Sequence, residues 1–259
     1  MAVPAQLIGL VPAAGRGTRL GGIAGSKEMV PVPTAGSGAS APVSAQLLRC
    51  LAEAGVERAY VVLRTGKWDL PEYYAAHPPT RGPRLAYLMT PGTASIPATL
   101  DLAYPFALRS TVVLGFPDSC FQPRDALRRA VERHRAGSAA VTLALFPSDR
   151  PDKTDMVELD GDRVSGFRVK PGACELRFTF GAAVWGPDFT DFLHRFLAAR
   201  ERTSDPAAES ESELQISQVL GAALRAGLAI DAEPSPSGRY VDLGTPDDLH
   251  RVRSEGVPP

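Results

Sequence analysis

The sequence predicts an α/β fold built on a mainly parallel, mixed central sheet. Through residues 1–147, short apolar runs of the kind buried on both faces alternate with segments of helical period, which is the pattern of βαβ units. At 259 residues the chain is long enough to bury one large core. Neither a cysteine framework nor an apolar run of membrane-spanning length offers another way to organise it.

Taken in order, QLIGLVP is continuously apolar and ends at a glycine-rich turn, as a doubly buried strand does. VSAQLLRCLAEAG sets Val43, Leu47, Leu48 and Leu51 at helical spacing, with Gly55 placed to end the helix. RAYVVLR (58–64), RLAYLM and TVVLG read as further strands, with a helix beginning at IPATLDLAYPFAL between the last two. PRDALRRAVERHRAG reads as a helix with Pro123 near its first position and Gly137 near its end, followed by the strand AAVTLALFP. In the second half, MVELDGDRVSGFRVK alternates around Gly161 and Asp162 as a hairpin. A strand RFTFGAAVW, an amphipathic helix PDFTDFLHRFLAAR and a polar loop ERTSDPAAESES follow. A short helix over 214–224, a strand LAIDAE and the segment RYVDLGTPDDLHRV complete the reading. No linker interrupts it, so a single domain over 1–259 is expected.

The formal charge of -1 and pI near 6.4 exclude a general nucleic-acid surface or a polybasic membrane anchor, so positive charge must act locally. Cys50, Cys120 and Cys174 form neither pairs nor a zinc spacing and are expected as thiols in a reducing compartment. A soluble, cytoplasmic protein is expected, and its composition is compatible with a homo-oligomer. Charge does concentrate in one place. After the first strand, AAGRGTRL is followed at Ser26 to Val32 by SKEMVPV. Gly15 and Gly17 allow close backbone approach, so that successive N–H groups can turn toward an anion. Thr18 adds a hydroxyl, and Arg16, Arg19 and Lys27 add charge suited to phosphate. The run fits neither GxxxxGK[ST] nor GxGxxG, since Leu20 stands at the third glycine position.

These two halves, in this order, resemble the signature of sugar-phosphate nucleotidyltransferases of the glucose-1-phosphate thymidylyl- or uridylyltransferase type, AGGxGTRL followed by (P/S)KxLxPV. Three later segments resemble the same family: VVLGFPDSCF, FRVKPG and RYVDLGTPDDL. The resemblance implies a three-layer nucleotide-binding fold in which residues 1–147 bind nucleotide and 148–259 bind the acceptor. It implies Mg²⁺-dependent transfer of a nucleotidyl group from a nucleoside triphosphate to a sugar 1-phosphate, forming a nucleotide sugar and pyrophosphate. By the same resemblance Arg19 and Lys27 are catalytic, and Ala13, Ala14, Gly15, Arg16, Gly17, Thr18 and Thr90 bind the nucleotide. Lys170 and Gly181 bind the acceptor, and Asp118 and Asp242 hold Mg²⁺.

This sequence also departs from the family pattern. Phe116 and Pro117 stand between Gly115 and Asp118, which leaves open whether the aspartate keeps its family position. Val169 replaces a glutamate that reads sugar hydroxyls in the family, so glucose 1-phosphate is expected to be a poor acceptor. Two other functions stay open: a cytidylyltransferase for a non-sugar phosphate or phosphonate, and a catalytically weak nucleotide-binding regulator. The plain alternatives are a turn cap for Asp118, a helix start for Asp242 and a solvated turn for Lys170. DRPDKTD (149–155) reads as a charged surface loop, with a place at the border of the acceptor pocket as the alternative, and Trp68 and Trp185 read as packing residues.

Overall fold

The structure is a computed structural model that describes residues 5–16, 25–33, 40–203 and 213–255. Its centre is β1 (Gln6–Ala13), whose side chains alternate between two separate apolar clusters. Ile8 and Leu10 enter one, Leu7 and Val11 the other, as a strand covered on both faces requires. β1 pairs in parallel with β4 (Arg58–Arg64) and β6 (Ser110–Gly115), and β4 with β5 (Arg84–Thr90). Beyond β6 the sheet becomes mixed. β11 (Phe178–Trp185) runs antiparallel between β6 and β8 (Val141–Pro147), and β12 (Ile230–Pro234) continues parallel to β8. The hairpin of β9 (Met156–Asp160) and β10 (Arg163–Arg168), turning through Gly161 at φ 58°, completes a sheet of nine strands among the described residues.

One face is covered by α1 (Ser44–Glu53), α2 (Asp69–Ala76) and α5 (Ala126–Ala136). The α1 stripe of Leu47, Leu48 and Leu51 is buried as its spacing predicts, each side chain contributing about 1.5–3 kcal/mol of burial. The other face carries α3 (Ile96–Asp101), α4 (Tyr104–Ala107), α6 (Pro187–Thr203) and α7 (Ile216–Arg225). Three sequence readings change. The segment expected as one helix from Ile96 divides into α3 and α4, and α5 begins at Ala126, beyond Pro123. The sequence reading also passes over α2, although Pro71 in its first turn and buried Leu70 and Tyr74 are its signals. Trp185 is buried and donates to Thr190, whereas Trp68 is 52% exposed.

Two short ladders lie beside the main sheet. β2 (Pro31–Pro33) pairs with β3 (Ser40–Pro42), and α8 (Pro246–Glu255) packs near them through Val252. β7 (Ser119–Gln122) pairs antiparallel with β13 (Arg239–Asp242) in a register that sets Asp242 opposite Ser119. The Leu243 N–H donates to the Asp118 carbonyl at 2.9 Å, and this ladder brings the late segment to the carboxyl end of β6. Among the described residues no helix is long and apolar enough to cross a membrane.

Candidate active site

A cavity of about 670 Å³ opens at the carboxyl ends of β1 and β6, the edge of a parallel sheet where ligands bind. Ala14, Gly15 and Arg16 form part of its wall. Ala13 is turned away, and its carbonyl accepts from Lys67 Nζ at 2.9 Å. Gly17, Thr18 and Arg19 lie outside the described residues.

Lys27 enters the cavity from a short 3₁₀ turn, Lys27–Met29, that is fastened on both sides. Before it, the Ser26 N–H and hydroxyl each donate to Asp69 at 2.6 Å. Gly25 is at φ 91°, and a Cβ there would meet Asp69 Oδ2 at 2.8 Å, so this approach requires glycine. After it, Glu28 is fully buried and receives Lys67 Nζ on both oxygens, at 2.8 and 2.9 Å. Burial pushes the Glu28 carboxyl up, while Lys67 opposes the rise. Lys67 thus ties this turn to the end of β1.

Lys27 Nζ donates to Asp118 Oδ2. Burial acts to lower its pKa, but Asp118, and then Glu28 and Asp242, lift it to about 12, so the ammonium is charged at neutral pH. Phe116 and Pro117 do not displace Asp118 from the cavity. They form a turn in which the Ser119 N–H and hydroxyl donate to the Phe116 carbonyl, with Pro117 at the position a turn favours. Asp118 and Asp242 therefore line the same cavity as Lys27. Burial first, and the Asp118 charge second, push the Asp242 carboxyl up to about 7. Its side chain is nonetheless exposed to cavity solvent, which screens part of that effect. No group of three or more His, Cys, Asp or Glu suited to a metal occurs among the described residues. Two adjacent carboxylates still fit Mg²⁺, which is commonly held by one or two carboxylates together with substrate phosphates.

Lys170 also lines the cavity, and among the described residues it is the non-glycine residue at positive φ, 39°. A lysine before proline is disfavoured there, at a cost of roughly 1–3 kcal/mol, and such strain collects at functional sites. Val169 is 41% exposed and is not part of the wall, so it does not take the cavity-facing position given to it in the sequence reading. Lys153, Thr154 and Asp155 of the charged loop do line the cavity. Two other expected contacts sit elsewhere. Thr90 is buried with its hydroxyl engaged by the Gly92 backbone, because the turn uses it, and Thr93 and Ser95 occupy the wall. Gly181 lies beneath Tyr240 and Phe146, where a Cβ would meet ring atoms at 2.6–2.9 Å, so its absent side chain makes room for the ring that precedes Asp242. Sequence reasoning missed Glu28, Arg64, Lys67 and Asp69, and it read Asp155 only as the end of a charged loop. Glu28 has a readable signal, a charged residue in an otherwise buried run next to Lys27.

The sequence matches the profile of the nucleotidyl transferase family over residues 8–256. The chain belongs to that family. Among solved structures it is similar to a protein assigned as a glucose-1-phosphate thymidylyltransferase from Bacillus anthracis, in complex with sucrose. The TM-score is 0.79 at 18% identity, covering 96% of this chain and 94% of that one. A UDP-glucose pyrophosphorylase complexed with UDP-glucose gives 0.76 at 17%, covering 96% and 98%. The inositol-1-phosphate CTP transferase from T. maritima gives 0.70 at 20%, covering 98% and 99%. Identities this low show a shared fold. No curated protein sequence matches at a significant level. As a nucleotidyl transferase the protein is an enzyme, and its mixed α/β sheet is that of these neighbours.

Proposed function

We propose that this nucleotidyl transferase moves the nucleotidyl group of a nucleoside triphosphate to a sugar 1-phosphate or a closely related phosphate, releasing pyrophosphate. The observation that carries this reading is the meeting of Lys27, Asp118 and Asp242 beside the Ala14–Arg16 wall, with Lys170 in the wall of the same cavity. In this reading residues 1–147 hold the nucleotide and 148–259 the acceptor. An oxygen of the acceptor phosphate forms a bond to the α-phosphorus as the bond to the bridging oxygen of the β-phosphate breaks. The electron pair leaves with pyrophosphate.

The acceptor phosphate is already anionic, so no general base is required. What the protein must supply is alignment and charge neutralisation. The backbone from Ala14 to Thr18 cradles the triphosphate and Arg19 neutralises its outer phosphates. The Lys27 ammonium, charged at neutral pH, bridges the α-phosphate and the incoming oxygen, and Lys170 holds the acceptor phosphate. Asp118 and Asp242 would hold Mg²⁺, which supplies charge neutralisation at the triphosphate when bound. A polyol phosphate with CTP is a second acceptor and donor pair of the same chemistry, favoured by the likeness to the inositol-1-phosphate CTP transferase.

The test is incubation of the protein with Mg²⁺, each common nucleoside triphosphate and a mixture of sugar 1-phosphates and inositol 1-phosphate, with pyrophosphate and product masses as the readout. Lys27→Ala should lose about 10²–10³-fold in turnover while remaining folded, as removal of a transition-state charge partner does. Absence of pyrophosphate release from the wild-type protein would refute the reading, and an unimpaired Lys27→Ala would remove that lysine from the mechanism.

A further inference from the structure

The half of the chain read as nucleotide-binding puts into the cavity wall an arginine that no motif of the sequence singles out. Arg64 is the last residue of β4 and lines the cavity together with Thr93, Ala94 and Ser95. Its backbone is fixed. The Lys67 N–H donates to its carbonyl at 3.1 Å in a turn with Gly66 at φ 98°, and the neighbouring Thr65 donates to the Thr90 carbonyl from its N–H at 2.8 Å and its hydroxyl at 3.1 Å. The guanidinium lies against the Gly92 backbone, where a Cβ would meet Nη2 at 2.8 Å and Cζ and Nη1 at 3.0 Å. With Gly92 at φ 146°, both its conformation and the space beside it call for glycine. Arg64 is half-buried, yet among the described residues its guanidinium has neither an ion pair nor a hydrogen bond. A rigid fork of N–H donors, partly withdrawn from water and without protein partners, is available to a ligand of the cavity it lines.

The sheet order decides which part of a ligand lies there. β4, β1 and β6 are successive neighbours, so the end of β4 stands about 10 Å, two strand spacings, from the end of β6. Asp118 follows β6 and meets Lys27 at the place read above as the seat of the α-phosphate. β11, β12 and the β9–β10 hairpin, all from the half assigned to the acceptor, lie on the other side of β6, which leaves the β1–β4 side for ribose and base. Thr90, paired with Arg64 in the parallel register and expected to bind the nucleotide, spends its hydroxyl on Gly92. Resting on the functional reading above, we propose that Arg64 is a specificity-determining residue that reads the nucleobase, and that the triphosphate taken is one whose base offers the guanidinium two adjacent acceptors. Cytosine does so with O2 and N3, and guanine with O6 and N7. Uracil and thymine put the N3–H donor beside each carbonyl, and adenine puts its amino group beside N1 and N7, so these bases set a donor against the fork and leave it unpaired.

The experiment measures kcat/KM from pyrophosphate release for CTP, GTP, UTP, dTTP and ATP with Mg²⁺ and the best acceptor saturating, and separately the Kd of each triphosphate without acceptor. In the wild-type protein CTP or GTP should exceed UTP, dTTP and ATP by at least about tenfold, and which of the two leads tells whether the fork meets a pyrimidine or a purine. Arg64→Met keeps an apolar stem and removes the donors, so it should narrow that margin to about twofold while inhibition by pyrophosphate stays as in the wild type. Arg64→Lys keeps the charge without the two-point grip and should narrow the margin in the same way. UTP, dTTP or ATP as the best wild-type triphosphate would overturn the assignment. So would an equal loss for all five in Arg64→Met, with weaker inhibition by pyrophosphate and recovery in Arg64→Lys, which is the behaviour of a residue that holds phosphate. If the wild-type protein releases no pyrophosphate with any triphosphate, the functional reading falls, and the order of the Kd values with its change in Arg64→Met still decides this inference.

Discussion

Replacing Lys67 with methionine isolates the buried ion pair beside Lys27. The Glu28 side chain is fully buried and that of Lys67 is 12% exposed, so neither charge is compensated by water. Removing the lysine strands a carboxylate in the interior and also deprives the Ala13 carbonyl of its donor. Breaking a buried pair from one side costs about 3–5 kcal/mol. For a chain of this size that lowers Tm by about 10 °C. The loss depends on pH. Burial already holds the Glu28 carboxyl above its ordinary value of 4.5, and without Lys67 the folded-state value rises further. An acid raised in the folded state binds its proton more tightly there, so the variant loses stability as pH rises above the unfolded value. Thermal melts followed by circular dichroism should therefore show a larger gap between wild type and Lys67→Met at about pH 8 than at about pH 5.5. The double variant Glu28→Gln with Lys67→Met should recover most of the loss, since no charge is stranded. A gap below about 1 kcal/mol at the higher pH, or one independent of pH, would refute the argument.

If Asp118 and Asp242 hold one ion together, Asp118→Asn and Asp242→Asn should each raise the Mg²⁺ concentration needed for activity. The double variant should then be little worse than either, while additive losses would show that they act separately. Gly181→Ala should cost about 1–3 kcal/mol in a denaturant titration, because its Cβ collides with the Tyr240 and Phe146 rings. Its Mg²⁺ requirement should rise as well, since Tyr240 lies in β13, two residues before Asp242, and a wild-type requirement would separate the ring from the site.

The sequence by itself determined most of the secondary structure and singled out the glycine- and charge-rich stretch after β1. Alternation along β1, the α1 stripe and the turn at Gly161 depend on local periodicity and local φ preference, which any stretch of chain carries within itself. The likeness of AAGRGTRL and SKEMVPV to a family signature is legible for the same reason, since both halves lie in one continuous segment. The tertiary structure decided which distant residues meet. Pairing of β7 with β13 brings Asp242 to Asp118, and the turn at Phe116–Ser119 absorbs two residues that in sequence leave the position of the aspartate open. The fastening of Lys27 by Asp69 and Lys67, the withdrawal of Val169 and the place of Asp155 in the same cavity wall likewise depend on segments far apart in the chain. Such contacts depend on where the packed sheet and helices set their loops in space, and side-chain partnership across that space leaves no periodicity in the sequence to read.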